Sequence, residues 1–209
     1  MRLTSSSFQN NGPIAAEFAF CAADPKTHVT LSLNRSPAFA WTDAPAGTRS
    51  YAFICHDCDV PSKPDDVNQD GRVIPATLPR VDFYHWVLVD LPASANTIAA
   101  GEFSDGVNAR GKAGPNGPRG TRQGINDYTL WFAADATMSG NYFGYDGPCP
   151  PWNDSILHHY VFTLYALDVA SCPVHGTFKG SDVLAAIKGH VLAQASVTGV
   201  YSLNPQIKL

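Results

Sequence analysis

The chain has 209 residues, 44% hydrophobic and 15% charged, with a formal net charge of −4. That length fits one domain, and that apolar content builds a proper core and excludes a disordered chain. The acidic balance argues against a nucleic-acid partner, which needs a basic face.

Residues 1–18 hold no apolar run of signal-peptide length, and no stretch nears the roughly 18 apolar residues of a membrane span. The expectation is a soluble cytoplasmic protein with no stable membrane insertion. Its five cysteines, odd in number and without framework spacing, are expected to stay as thiols.

HVTLSLN (28–34) alternates like a strand with one wet face, and AFAWTDAP follows it into a turn. SYAFICHD (50–57) and HWVLVDLP (85–92) are nearly continuous apolar runs, as in strands covered on both faces. Residues 62–82 between them, rich in Pro, Asp and Asn, read as a loop. Residues 104–128 read as a second long loop. Within it GKAGPNGPRG puts glycine at every third position from Gly111 to Gly120. The triplets are too few for collagen, and no Gly-Lys-Ser/Thr follows to make a phosphate loop. The segment reads as a flexible, weakly basic loop of the kind that borders a site.

YTLWFAAD looks like a strand, and YVFTLYALDV (160–169) is the strongest strand signal in the chain. SDVLAAIKGH is the one convincing helix. Ser181 is its expected N-cap, Asp182 sits in the first turn, and Val183, Leu184, Ile187 and Val191 make its apolar face. ASVTGVYSLN reads as a last strand. Many strands followed by a helix near the C-terminus indicate a mainly β fold, an antiparallel sandwich with a few peripheral helices. With no repeat and no linker, residues 1–209 form a single domain.

The stretch CHDCDVP (55–61) carries the densest chemistry. A zinc site needs a second ligand pair, which the isolated Cys21, Cys149 and Cys172 do not supply, and a redox dithiol needs a helix start after it. The aspartates are the better clue. In an extended chain Asp57 and Asp59 point to the same side, where two carboxylates call for something positive between them. His85 heads the next apolar run, and His158–His159 precede the strongest strand. A carboxylate beside an imidazole fixes its tautomer and leaves the far nitrogen facing outward, for a metal or an anion. Taken singly, each histidine also fits a satisfied core or turn position. Together they mark a site at one rim of the sandwich. GPCPPWND (147–154) walls it with rigid prolines, and Trp152 and Tyr160 add an apolar wall and a hydroxyl.

These residues resemble the phosphatidylethanolamine-binding protein family, also called Raf kinase inhibitor-like proteins, in its bacterial branch. Asp57-Cys58-Asp59-Val60-Pro61 resembles its Asp-Pro-Asp-x-Pro box, His85-Trp86 its His-Trp, and Gly147–Pro151 with His158-His159-Tyr160 its Gly-x-Pro-Pro…His-Arg-Tyr box. Two departures stand out: Cys58 replaces the box proline, and His159 stands where the family often has Arg. The resemblance implies a sandwich of two antiparallel sheets with a small rim cavity for phosphate, phosphoryl head groups or acetate. Carried over by position, its lining is Asp57, Asp59, His85, Pro150, Pro151, His158 and Tyr160. It also implies a regulatory role, since the family includes kinase and protease inhibitors; no cofactor is expected, and the sequence pattern shows a pocket for a head group and no acyl tunnel.

Three functional classes follow. The first is a non-enzymatic module that captures a small anion and acts on a protein partner. The second is a hydrolase using the same pocket with a metal or a His/Asp pair, against which stands the lack of any nucleophile or metalloprotease motif. The third is a structural protein with a vestigial pocket. A homodimer through Trp131 or Phe143 competes with burial of both rings in the core.

Overall fold

The computed structural model describes residues 1–208. The strands are β1 (Arg2–Ser5), β2 (Gly12–Pro13), β3 (Cys21–Asp24), β4 (His28–Leu31), β5 (Phe39–Thr42), β6 (Ser50–Pro61), β7 (Arg80–Pro92), β8 (Thr97–Ile98), β9 (Arg122–Gln123), β10 (His158–Leu167) and β11 (Val191–Tyr201). Two short helices are α1 (Tyr128–Trp131) and α2 (Gly180–Ala186). One sheet runs β2-β11-β10-β6-β7-β9, the other β1-β5-β8, and β3 and β4 form a separate hairpin. All pairs are antiparallel except β2 with β11. The fold is the mainly β sandwich with peripheral helices that the element order indicates.

The continuous apolar runs are explained by cover on both faces of the large sheet. On one face Phe53, Trp86, Leu88, Phe162 and Leu164 meet Leu3, Phe39, Trp41 and Ile98 of the small sheet. On the other, Ala52, Ile54, Val87 and Val89 lie under Val183 of α2, Ile187 just past its end, and Cys172, Val174 and Phe178. Each fully buried Phe or Leu contributes about 1.5–3 kcal/mol, so this double cover is the main stabilising feature.

Several expectations are corrected. YTLWFAAD is not a strand. Asn126 Oδ1 accepts the Tyr128 N–H (3.1 Å) and starts a turn, Asp127 Oδ2 takes the Tyr84 N–H (2.7 Å), and the Tyr128 and Phe132 rings stack one helical turn apart at 5.5 Å. In α2 the N-cap position is Lys179 rather than Ser181, and Asp182 accepts the Lys179 N–H (2.9 Å). Leu184 is exposed and Val191 opens β11, so the buried stripe of α2 is narrower than the sequence pattern. Trp131 is exposed, while Phe143 is buried as expected.

The 104–128 segment is packed rather than flexible. A Cβ on Gly111 would lie 2.0 Å from the Asn141 carbonyl oxygen, and one on Gly114 2.3 Å from the Phe143 ring. Glycine is required there by close approach. Lys112 plunges inward to Asp146 (2.5 Å) and the Tyr145 carbonyl (2.7 Å). The segment 62–78 is gathered around Asn153, whose side chain accepts from Asn68 N–H (3.0 Å) and donates to the Asp66 and Arg72 carbonyls (2.8 and 3.2 Å).

Not all cysteines are thiols. Cys21 and Cys149 form a disulfide, leaving Cys55, Cys58 and Cys172 free. The backbone brings the pair together, because the N–H groups of Phe20 and Cys21 both donate to the Pro148 carbonyl (2.9 and 3.1 Å). Among the described residues no helix is long and apolar enough to cross a membrane.

Candidate functional site

Three adjacent strands converge at one rim. Tyr160 of β10 is paired with Asp57 of β6, and Asp57 with Phe83 of β7. His85 owes its orientation to a β-bulge. Cys55 pairs with Trp86 but His56 with Tyr84, so His85 is the extra residue on β7. Consecutive residues alternate faces, yet the bulge lets both His85 and Trp86 turn inward, and Trp86 enters the core while His85 enters the cavity. A bulge of the opposite sense follows on β6, between Asp57 and Val60. It rotates Asp59 away from Asp57. Asp59 instead accepts from the His159 N–H and pairs with His159 Nδ1 (2.9 and 2.8 Å) on the opposite face. Asp59 is thus not among the residues lining the cavity, which corrects the expectation that the two carboxylates share a side. His159, at the position where the family often has Arg, thus bonds Asp59 through both its backbone N–H and its ring.

The cavity, of about 770 Å³, is lined by Asp57, His85, Pro150, Pro151, His158 and Tyr160 from the expected set. Sequence reasoning missed the aromatic and aliphatic walls: Phe20, Phe83, Tyr128, Leu130, Trp131, Phe132 and Met138 also line it. It is therefore neither small nor purely polar. Gly147 seats the proline wall, since a Cβ there would lie 2.1 Å from the Phe18 carbonyl oxygen.

The two inward histidines have opposite characters. His158 is 1% exposed, with Nδ1 2.7 Å from Asp57 and Nε2 3.1 Å from Asp154. Burial alone would lower its pKa, but the two carboxylates overcome this and raise it to about 9, so it is an imidazolium at neutral pH. Asp154 is in turn held by a bidentate pair with Arg80 (2.5 and 3.0 Å). Neither His158 nitrogen faces outward, contrary to the expectation for a ligand-binding histidine. The Asp57–His158–Asp154–Arg80 chain alternates charge and sums to zero. Asp154 and Arg80 were missed by sequence reasoning. The only signal was the four-residue spacing of Asp154 to His158.

His85 Nδ1 donates to the Asp146 carbonyl (2.8 Å), which fixes the tautomer and leaves Nε2 as the acceptor on the cavity side. Burial lowers its pKa to about 4, so the ring is neutral. Its neighbours are the rings of Phe83, Tyr128 and Tyr160, 4.9–5.5 Å away between centroids. Asp146 is itself fully buried, and Lys112, Asn34 and Asn126 hold its carboxylate (2.5, 2.8 and 2.8 Å). The Tyr128 hydroxyl donates to the Gly147 carbonyl (2.9 Å), while burial and the adjacent Asp57 carboxylate hold the Tyr160 phenol in its protonated form. Among the described residues no group of three or more His, Cys, Asp or Glu side chains is arranged to hold a metal ion.

Fold and site together define a two-sheet β-sandwich with a mixed polar and apolar cavity at one rim. The chain belongs to the phosphatidylethanolamine-binding protein family, whose model matches residues 4–202. It is 31% identical over 201 residues to a UPF0098 protein of Methanothermobacter thermautotrophicus, covering 96% of this chain and 98% of that one. It is also 31% identical to UPF0098 protein YbhB of Escherichia coli, over 81% of this chain and 82% of the relative. Its fold is similar to the crystal structure of Escherichia coli YbcL, described as a new member of the mammalian PEBP family. The TM-score is 0.65 at 25% identity, covering 99% of this chain and 98% of that one.

Proposed function

We propose that this chain is a binding protein that captures the phosphoryl or carboxyl head of a small ligand at the rim cavity and, through the ligand, regulates a protein partner. The observation that carries the reading is the buried, neutral His85, whose Nδ1 is spent on the Asp146 carbonyl, lining one cavity with Asp57 and Tyr160. Asp57 and His158 act as the frame that sets the floor, not as donors, because their charges are spent on each other. The regulatory half of the proposal rests on the family's inhibitory members. Binding is favoured over hydrolysis because, among the described residues, those lining the cavity include no serine, threonine or free cysteine to serve as a nucleophile.

The test is a titration with inorganic phosphate and acetate, followed through histidine ring signals by NMR, in the wild type and in Tyr160→Phe. Saturable shifts of His85, weakened roughly tenfold by loss of one hydrogen bond, support the reading. Wild-type His85 signals that do not move at millimolar ligand refute it.

A further inference from the structure

One wall of the rim cavity is tied by a covalent bond that head-group capture does not itself use. Cys149 sits in the run Pro148-Cys149-Pro150-Pro151, and its sulfur is bonded to Cys21 at the start of β3. Both cysteines line the cavity, together with Pro150 and Pro151. The proline rings fix three of the four φ angles in this run, so its freedom is concentrated at Cys149. Among the described residues, no backbone–backbone hydrogen bond holds Cys149. The disulfide therefore fixes the softest joint of the wall.

Both ends of the run are anchored without the sulfurs. The Gly147 N–H donates to Asn34 Oδ1 (2.8 Å), and the Gly147 carbonyl accepts from the Tyr128 hydroxyl (2.9 Å). Past the run, the Trp152 N–H donates to Asn68 Oδ1 (3.1 Å). The Trp152 ring stacks on His28, at the turn end of the β3–β4 hairpin, with 3.9 Å between centroids. The hairpin is thus clamped onto this loop twice, by the disulfide at its open end and by the stack at its turn. Opening the disulfide releases the joint at Cys149 and one of the two clamps, while the anchors on either side remain.

The bond faces an exchange partner only from the cavity. Cys149 is half-buried and Cys21 is buried, so an incoming thiolate meets the Cys149 sulfur first. The protein's own thiols are badly placed for this. Cys55 and Cys172 are buried, and Cys58 lies beside the His159 carbonyl (3.9 Å), away from the cavity lining. Burial pushes the Cys55 thiol well up, and those of Cys58 and Cys172 up to about 11, so none is a ready thiolate. Exchange takes an external dithiol. Its first thiolate bonds to the Cys149 sulfur, the S–S bond breaks, and Cys21 leaves as a thiolate and takes up the released proton. Its second thiol displaces Cys149, which is protonated in turn. The dithiol is oxidised to its own disulfide, and two electrons reduce the protein's bond to two thiols.

We propose that the Cys21–Cys149 bond is a redox latch on the rim cavity. Oxidised, it holds the proline wall in the shape that closes on a ligand head. Reduced by a dithiol, it frees the wall at Cys149 and weakens capture while the fold stands. The effect on capture rests on the head-group reading above.

The experiment takes the folded protein through dithiothreitol redox buffers. The bond is read by alkylation after an acid quench, and the Trp indole and His ring signals are read by NMR. Inorganic phosphate is then titrated against both forms and against Cys149→Ser. Dithiothreitol is expected to open the bond without denaturant and to move the Trp152 and His28 signals. Those of Trp41 and Trp86 in the core, and of His158 in the floor, are expected to stay. Phosphate affinity is expected to fall about tenfold on reduction, from the need to order about one backbone residue again. Cys149→Ser is expected to match the reduced protein in every buffer. A bond that opens only after unfolding, or a reduction that also moves the Trp41 and Trp86 signals, marks a structural staple and overturns the latch. Equal phosphate affinity in the two forms overturns it too, and leaves the head-group reading standing. Phosphate that binds neither form overturns both.

Discussion

The charge chain at the rim makes stability depend on pH in a way that can be worked out in advance. His158 has a pKa near 9 in the folded protein and about 6.5 when unfolded. The folded state therefore holds a proton that the unfolded state has released, and its stabilisation is complete below pH 6.5 and lost as pH rises through 9. The gap of about 2.5 pH units corresponds to about 3 kcal/mol at 1.36 kcal/mol per unit. With a side chain only 1% exposed, little of this is screened by solvent. Most of the loss falls between pH 6.5 and 8.5; the three free thiols, raised by burial in the folded protein, add a smaller loss of the same sign near the top of that window. Urea unfolding at half-unit steps across that window should show stability falling by about 2 kcal/mol, with an unchanged m-value. Asp154→Asn removes one of the two carboxylates that hold the proton and should flatten the slope. A wild type with constant stability from pH 6.5 to 8.5, or an Asp154→Asn variant with the full slope, refutes the imidazolium reading.

Other outcomes can be checked with simpler measurements. His85, buried neutral with a pKa near 4, should contribute the opposite limb: stability present above pH 6.5 and lost as pH falls toward 4, visible as an NMR ring titration far below that of His158. Lys112→Met leaves the buried Asp146 carboxylate without its cation and should cost about 3 kcal/mol by urea unfolding, with most of it recovered in the Lys112→Met, Asp146→Asn double variant. Gly114→Ala forces a methyl to within 2.3 Å of the Phe143 ring and should lower stability by about 1–3 kcal/mol. Mass spectrometry after denaturing alkylation should find three modified cysteines without reductant and all five with it. Reduction should cost about 2–4 kcal/mol, because the bond closes a long loop.

The sequence carried the large features because they rest on periodicity. Strands β6, β7 and β10 are legible from their apolar runs, and double cover by the small sheet and α2 explains why those runs are continuous rather than alternating. Errors gathered where a single residue breaks the period. Asp57 and Asp59 are two apart, but a bulge lies between them, and a two-residue rule cannot see an inserted residue. The same device on β7 aims His85 into the cavity. YTLWFAAD looks like a strand in sequence alone. Asn126 and Asp127, which start the turn through contacts to Tyr128 and the distant Tyr84, decide otherwise. Aromatic walls such as Phe83 and Phe132 were invisible as site residues because nothing in composition distinguishes a core ring from a cavity ring.

The opposite charge states of His85 and His158 also bear on what the site can do. A pocket meant to grip a strong anion by charge would leave a cation uncommitted, and here His158, Arg80 and Lys112 are each bound to a buried carboxylate. Those three cations instead make the floor rigid. His158 locks Asp57 to Asp154, Arg80 locks Asp154 to the head of β7, and Lys112 locks Asp146, whose backbone carbonyl fixes the His85 tautomer. Rigid, neutral hydrogen-bonding groups recognise a head by the arrangement of its donors and acceptors, whereas free charges attract any anion. In the proposed reading, selectivity at this rim comes from the fixed position and tautomer of His85, which the buried ion pairs hold in place.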